Sequence, residues 1–176
     1  MAEKDVTDTA NLDQVDRLVA AWQHERPELD VAPLQVLSRV SRLSRHLDRA
    51  RRAAFAAHNL ETWEFDVLAA LRREGPPYAL SPGALSAATF VTSGTMTNRI
   101  DRLEASGLVA RSPDPRDKRG VQVTLTTSGS SQVDGALDDL LTHERALLAH
   151  LTPRKRDALA AALRELISPF EDDGVY

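Results

Sequence analysis

Hydrophobic residues recur every three or four positions over most of the chain, and this spacing predicts a mainly helical protein. A short amphipathic helix is predicted from Leu12 to the break at Pro27, and a long one carries its apolar stripe from Val36 to Ala54. Further helices are expected over residues 62–74, 81–88 and 92–107. A long narrow stripe such as the second is typical of a helix that packs against other helices.

The spacing changes from helical to alternating near residue 121. Val121, Val123 and Leu125 alternate with polar residues, residues 108–112 supply a partner strand, and the charged loop 113–120 joins the two. This pattern predicts a β-hairpin with a long tip. Helical spacing then returns in a long helix after residue 127 and in a last helix that Thr152 and Pro153 begin.

Three helices followed by a hairpin are the element order of a winged helix-turn-helix. We therefore predict a mainly α fold with a two- or three-stranded β-wing. The expected division is an extra N-terminal helix (1–29), a dimerisation helix (30–59), a winged helix-turn-helix domain (60–126) and C-terminal dimerisation helices (127–176).

Composition narrows the class of protein. There is no cysteine, which excludes disulfides, thiolate catalysis and cysteine metal sites. No apolar run is long enough to span a membrane and the first residues do not resemble a signal peptide, so a soluble cytoplasmic protein is expected. The net charge is −4, yet residues 92–120 hold six basic and four acidic side chains. A basic segment in an acidic protein favours docking on a polyanion by one surface.

The helix predicted over residues 92–107 has one polar face. Helical geometry groups Met96, Ile100 and Leu103 on the buried side and leaves the polar residues free to enter a DNA major groove. An asparagine can pair with adenine, hydroxyls can bind bases or phosphates, and a helix N-terminus favours phosphate. The DNA-facing candidates are Ser93, Thr95, Thr97, Asn98 and Arg102.

The hairpin tip is basic and restrained by Pro113 and Pro115. It carries Arg116, Asp117, Lys118 and Arg119. Arginine is attracted by the potential of a narrow minor groove, and Asp117 can orient Arg119 by a bidentate ion pair. The tip is therefore predicted to contact DNA, the alternative being a solvated surface loop.

These segments together resemble the MarR family. The resemblance rests on EFDVLAAL (64–71), VTSGTMTNRIDRLE (91–104), GLV (107–109), DKRG (117–120) and VTLT (123–126), and covers residues 30–170. It implies a homodimer built from the first long helix and the last two helices, with one winged head per subunit on half of a pseudo-palindromic operator. It also implies that Thr97 and Asn98 face bases, Arg102 the DNA backbone and Arg119 the minor groove.

Some features resemble one MarR subgroup, which includes HucR, PecS and TamR and whose members respond to urate or to tricarboxylates such as aconitate. These features are the extra N-terminal helix with Trp22, and Asp66 and Arg99 in the segments quoted above. Helical geometry places Arg99 about 60° from Met96, at the border of the buried face. There it can hold a small organic anion or an acidic partner such as Asp66. The alternative is that Asp66 and Arg99 form a structural ion pair and Trp22 fills a core.

Other classes of function find less support in the chain. His143 and His150, seven residues apart, are expected on one helix face, but no group of three or four metal ligands accompanies them. No cofactor, metal or catalytic motif is predicted. The expected function is a ligand-responsive transcription regulator, acting as a repressor. The alternatives are an architectural DNA-binding protein without a ligand and a small helical enzyme using Asp66 and Arg99.

Overall fold

The computed structural model describes residues 12–114 and 120–172 and separates the chain into two compact units, Met1–Arg49 and Ala50–Tyr176. The helices are α1 (Gln14–Glu25), α2 (Ala32–Ala56), α3 (Thr62–Arg73), α4 (Pro82–Ala88), α5 (Ser93–Ala105), α6 (Thr127–Leu148) and α7 (Pro153–Asp172). The strands are β1 (Ala79–Leu80), β2 (Val109–Pro113) and β3 (Val121–Leu125). The predicted mainly α winged-helix fold is confirmed. Within the described parts of the chain, no helix is long and apolar enough to cross a membrane.

The first unit holds α1 and most of α2. Asp13 caps α1 by accepting from the backbone N–H groups of Val15 (2.7 Å) and Asp16 (3.0 Å). The hydrogen bond from Asp16 N–H is the main cause that lowers the pKa of Asp13, and Arg39 adds to it from α2. A small core of Val15, Val19 and Val31 lies beside these polar contacts.

The second unit has its core around α3. Seven consecutive or nearly consecutive side chains of α3 are buried, from Glu64 to Leu71, which is more than one amphipathic face provides. Phe65 stacks on Phe55 at the end of α2, with ring centroids 3.9 Å apart. Because α3 is enclosed on most sides, it is the scaffold on which the helix-turn-helix is built.

The helix-turn-helix consists of α4, a turn and α5. Ser81 caps α4 through its Oγ, which accepts from Ala84 N–H (3.1 Å), and Thr92 caps α5 in the same way. Gly107 ends α5 with φ +71°, the left-handed conformation that a helix-terminating glycine adopts. Phe90 in the turn also has positive φ, +52°, which is unusual for a bulky residue.

The wing is a three-stranded antiparallel sheet in the order β1-β3-β2. Val109 pairs with Leu125 and Arg111 with Val123, so the predicted hairpin is correct. Strand β1 pairs Ala79 with Thr124. This strand has only two residues and lies between Pro77 and the start of α4 at Pro82. It is too short to show an alternating pattern, and sequence analysis did not locate it.

Helices α6 and α7 follow the wing. Arg72 of α3 binds Asp134 of α6 by two hydrogen bonds of 2.8 and 3.0 Å, which raise the pKa of Arg72. In contrast, no described side chain of α7 up to residue 170 is buried in this single chain. Its exposed apolar residues are Leu159, Leu163, Leu166, Ile167 and Phe170. Helix α7 therefore presents an uncovered apolar face.

One detail of the predicted C-terminal helices was wrong. Helix α6 ends at Leu148, so His150 lies beyond it and does not share a helix face with His143. His143 instead contacts the backbone carbonyl of Asp139 in its own helix, at 3.1 Å. Among the residues that the structure describes, no three side chains of the metal-ligating types come together.

Candidate nucleic-acid interface and adjoining cavity

Helix α5 has the two faces that its sequence predicts. Met96, Ile100 and Leu103 are at most 1% exposed and lie in the core of the second unit. The five DNA-facing candidates on the other side are all exposed: Ser93, Thr95, Thr97, Asn98 and Arg102. The structure therefore brings these five side chains together on one accessible surface.

The polar side chains of this surface differ in whether they already make hydrogen bonds within the protein. The Thr97 hydroxyl donates to the carbonyl of Ser93 (3.0 Å), and the Thr95 hydroxyl lies 3.0 Å from that of Thr92. These hydroxyls keep lone pairs for a further donor. The side-chain amide of Asn98 makes no hydrogen bond within residues 12–114 and 120–172, so it is available to pair with a base edge.

Arg102 is engaged within the protein. Its Nη2 donates to Glu61 Oε1 (3.1 Å), and its guanidinium carbon lies 4.7 Å from the ring centroid of Trp63. Trp63 Nε1 donates in turn to Glu61 Oε2 (2.6 Å). Sequence analysis did not single out Glu61 or Trp63, because they lie about forty positions from Arg102 and no local pattern links them.

Helix α5 is tied to β2 by charged side chains. Arg111 binds Asp101 and Glu104, two acidic residues one turn apart on α5, and the distance to Glu104 Oε2 is 2.7 Å. The hydrogen bond to Asp101 is the main cause that raises the pKa of Arg111. These two ion pairs fix α5 relative to β2, the first strand of the hairpin. The predicted tip residues Arg116, Asp117, Lys118 and Arg119 lie outside the described residues.

A cavity of about 580 Å³ adjoins this surface within the second unit. It is formed by the end of α2, the start of α3 and one residue of α5, and its lining is Arg52, Ala56, Leu60, Glu61, Thr62, Trp63, Asp66 and Arg99. The lining is mostly apolar around two arginines and two carboxylates. Such a site suits a small organic molecule held by a few polar contacts.

Arg99 occupies the border position that helical geometry predicts. It is half-buried between Met96 and Ile100, and its guanidinium carbon lies 5.4 Å from the ring centroid of Trp63. The same side chain also lines a second cleft, of about 600 Å³, together with Asn98 and Arg102. One arginine thus belongs to both the cavity and the polar face of α5.

The structure pairs Asp66 with a residue that sequence analysis did not consider. Its Oδ1 lies 3.5 Å from Nη2 of Arg51, and the alternative of an ion pair with Arg99 is not found, although both residues line the cavity. Phe55 of α2 stacks on Phe65 of α3, so the two helices lie close together in the region that holds Arg51 and Asp66. Trp22 lies in the first unit on α1 and is 47% exposed, so it does not fill a core there.

Comparisons with known proteins agree on the family. A profile described as MarR family matches residues 58–120. The HTH-type transcriptional regulator PecS of Dickeya dadantii is 37% identical over 150 residues, covering 85% of this chain and 90% of PecS.

Two solved structures add a DNA complex and a regulated relative. A mutant MarR from E. coli complexed with operator DNA has a TM-score of 0.62 at 28% identity, covering 78% of this chain and 95% of that one. A structure of Bordetella bronchiseptica BpsR, whose DNA binding is regulated by 6-hydroxynicotinic acid, has a TM-score of 0.55 at 32% identity, covering 72% of this chain and 91% of that one. Proteins of this kind are DNA-binding regulators and not enzymes. This chain belongs to the MarR family of HTH-type transcriptional regulators.

Proposed function

We propose that the protein is a homodimeric repressor whose α5 helices read the two halves of a pseudo-palindromic operator. In this role Thr97 and Asn98 face base edges, Ser93 and Thr95 lie near the groove entrance, and Arg102 meets a phosphate. The basic tip residues Arg116, Lys118 and Arg119, with Asp117 orienting Arg119, contact the adjacent minor groove. The exposed, unoccupied amide of Asn98 supports this assignment.

A homodimer is supported by the apolar face of α7. Leu163, Leu166 and Phe170 are 37%, 48% and 58% exposed in the single chain, and Leu137 and Leu147 of α6 are similarly uncovered. Runs of exposed leucines along two helices are more than scattered surface hydrophobics, and they mark an interaction surface. A second copy of the chain covers this surface in our proposal.

We further propose that a small organic anion binds in the 580 Å³ cavity and lowers the affinity for DNA. The single observation that carries this proposal is the position of Arg99, which lines the cavity and stands on the DNA-facing helix. An anion in a partly enclosed site needs a cationic partner, and Arg99 and Arg52 supply two. The candidates are urate, a tricarboxylate such as aconitate, and an aromatic acid of the kind named for BpsR. Trp22 is not among the residues that line this cavity, and its role as a ligand contact stays a prediction from the sequence.

Thermal shift and DNA binding together test this proposal. The duplexes that the protein prefers are selected from a random library, and its melting is followed with urate, xanthine, aconitate, citrate, salicylate and 6-hydroxynicotinate. A ligand of the native state at 100 times its Kd stabilises the protein by about 2.7 kcal/mol. We expect one of these anions to raise Tm and to release the selected DNA. Sequence-selective binding that no anion weakens would favour a ligand-independent architectural protein.

A further inference from the structure

Glu61 is an acidic side chain at the edge of the proposed DNA-binding surface. Its carboxylate accepts from Arg102 at 3.1 Å, and the two side chains are 62% and 55% exposed. In the proposed complex Arg102 meets a DNA phosphate, which carries the same charge as Glu61. The carboxylate and the phosphate therefore compete for one guanidinium.

Trp63 holds both members of this ion pair. Its indole Nε1 donates to the other carboxylate oxygen of Glu61 at 2.6 Å, and its ring lies 4.7 Å from the Arg102 guanidinium carbon. A carboxylate fixed by a neutral donor loses less freedom when it pairs with arginine, and the ring adds a cation–π contact. The three contacts restrain Arg102 more than an isolated surface ion pair does.

We propose that Glu61 and Trp63 are positioning residues that form a latch, which holds Arg102 in the free protein and must open when a phosphate takes Arg102. The proposal rests on the proposed function, because it takes Arg102 as a phosphate contact. Its consequence is that Glu61 lowers the affinity for operator DNA. The latch makes DNA binding weaker than the same surface achieves without it.

The latch also faces the proposed ligand. Glu61, Trp63 and Arg99 line both the 580 Å³ cavity and the 600 Å³ cleft that contains Arg102. Arg99 and Arg102 are one helical turn apart and both lie against the Trp63 ring. An anion that binds Arg99 therefore acts directly on the side chains that hold Arg102.

The first test compares Glu61→Gln with Glu61→Asp on a selected operator duplex, with all 176 residues of the chain present and no ligand added. Glutamine pairs only weakly with Arg102, and we expect DNA binding about two- to fivefold tighter, the range that exposed ion pairs cover. The slope of log affinity against log salt should become more negative by up to about 1. The reason is that Arg102 then gains a phosphate contact without first giving up the carboxylate of Glu61. The backbone N–H of Glu61 keeps its bond to Glu64 Oε2, so the helix start is preserved.

Glu61→Asp is the charge-matched control. Aspartate keeps the negative charge but is too short to contact the Trp63 indole and Arg102 together, so it should also tighten DNA binding. If Glu61→Gln binds DNA no more tightly than wild type, the latch is wrong. If Glu61→Gln binds DNA more tightly and Glu61→Asp binds it as wild type does, the latch is also wrong. General repulsion between the carboxylate at position 61 and the DNA then explains the result.

A spectroscopic test observes the latch itself. The chain has two tryptophans, so ¹⁹F NMR of protein labelled with 5-fluorotryptophan gives two resonances, assigned with Trp22→Phe. Operator DNA should move the Trp63 resonance in wild type, and by much less in Arg102→Gln, which never occupies the latch. Equal shifts in both proteins overturn the proposal. If wild type binds no selected duplex at all, the proposed DNA-binding function fails together with the latch. If wild type binds DNA but the Trp63 resonance behaves alike in both proteins, the latch alone fails.

Discussion

The Oδ1 atom of Asp66 lies 3.5 Å from Nη2 of Arg51, so the carboxylate in the cavity wall is paired across the α2–α3 contact. Arg99, on another wall of the same cavity, has no carboxylate within ion-pair distance among residues 12–114 and 120–172, and its guanidinium lies against the Trp63 ring. In the proposed function the charge of Arg99 is met by a ligand. This separation of the two residues is the basis of our account of the cavity.

Asp66→Asn should separate two classes of ligand. For a ligand with an N–H donor, such as urate, Asp66 serves as an acceptor, and the weaker amide acceptor should raise Kd. For a polycarboxylate such as citrate, removing a negative charge near Arg99 and Arg52 should lower Kd. Isothermal titration of both anions against wild type and Asp66→Asn measures the two changes. A variant with unchanged Kd for each anion that binds wild type would place the ligand away from Asp66.

Asn98→Ala should remove a base contact. We expect a loss of about 1–3 kcal/mol on the selected operator and relaxed preference at one position in each half-site, with little change on random DNA. Arg102→Ala is the matched control on the same helix face, because a phosphate contact should weaken both DNAs alike. Competition binding with a set of single-base variants measures this. An equal loss on specific and random DNA for Asn98→Ala would exclude base reading by this residue.

Phe90→Gly should be more stable than Phe90→Ala. Both variants remove the ring, which is 72% exposed, but only glycine adopts φ +52° without steric cost. The left-handed conformation costs other residues about 1–2 kcal/mol, partly offset by the greater freedom of an unfolded glycine. Urea unfolding of the two variants gives the difference directly. An alanine variant as stable as the glycine variant would mean that this turn relaxes to a different backbone conformation.

Leu163→Glu should disrupt the dimer, whereas Arg164→Glu should not. Leu163 lies on the apolar face of α7, and burying a charge in a subunit interface without a partner is costly. Light scattering after gel filtration should give twice the 19.3 kDa chain mass for wild type and Arg164→Glu, and a monomer or aggregates for Leu163→Glu.

Removal of the segment after Thr152 should likewise expose apolar surface and cause aggregation. A soluble, folded monomer from that truncation contradicts the proposed interface.

The comparison of sequence and structure shows which features are local. Two correct predictions concern single elements: the buried stripe of Met96, Ile100 and Leu103, and the helices expected over residues 81–88 and 92–107. Both follow from spacing and residue type within one stretch of the chain. The short strand β1 was not located, because it exists only through pairing with β3.

The cavity shows more clearly which contacts cannot be predicted from the sequence. Arg99 was placed correctly at the border of its helix, since that position depends on helical geometry alone. The partner of Asp66 and the contacts of Arg102 with Glu61 and Trp63 depend on how three helices pack, and residues far apart in the chain supply them. Sequence patterns carry no direct signal for such contacts.

The most direct test of the account is a titration of DNA-bound wild type and Arg99→Ala with the anion that raises Tm most in the thermal screen, followed by fluorescence anisotropy of the operator. Each protein is compared with its own affinity without ligand, and Arg99→Lys serves as the charge-matched control. A ligand changes DNA affinity only through different affinities for the two states of the protein, so loss of its cationic partner should remove the effect. We predict that the anion releases DNA from wild type, less readily from Arg99→Lys, and not from Arg99→Ala, which remains a folded dimer. Release from Arg99→Ala at the same anion concentration as from wild type would contradict the central role of Arg99.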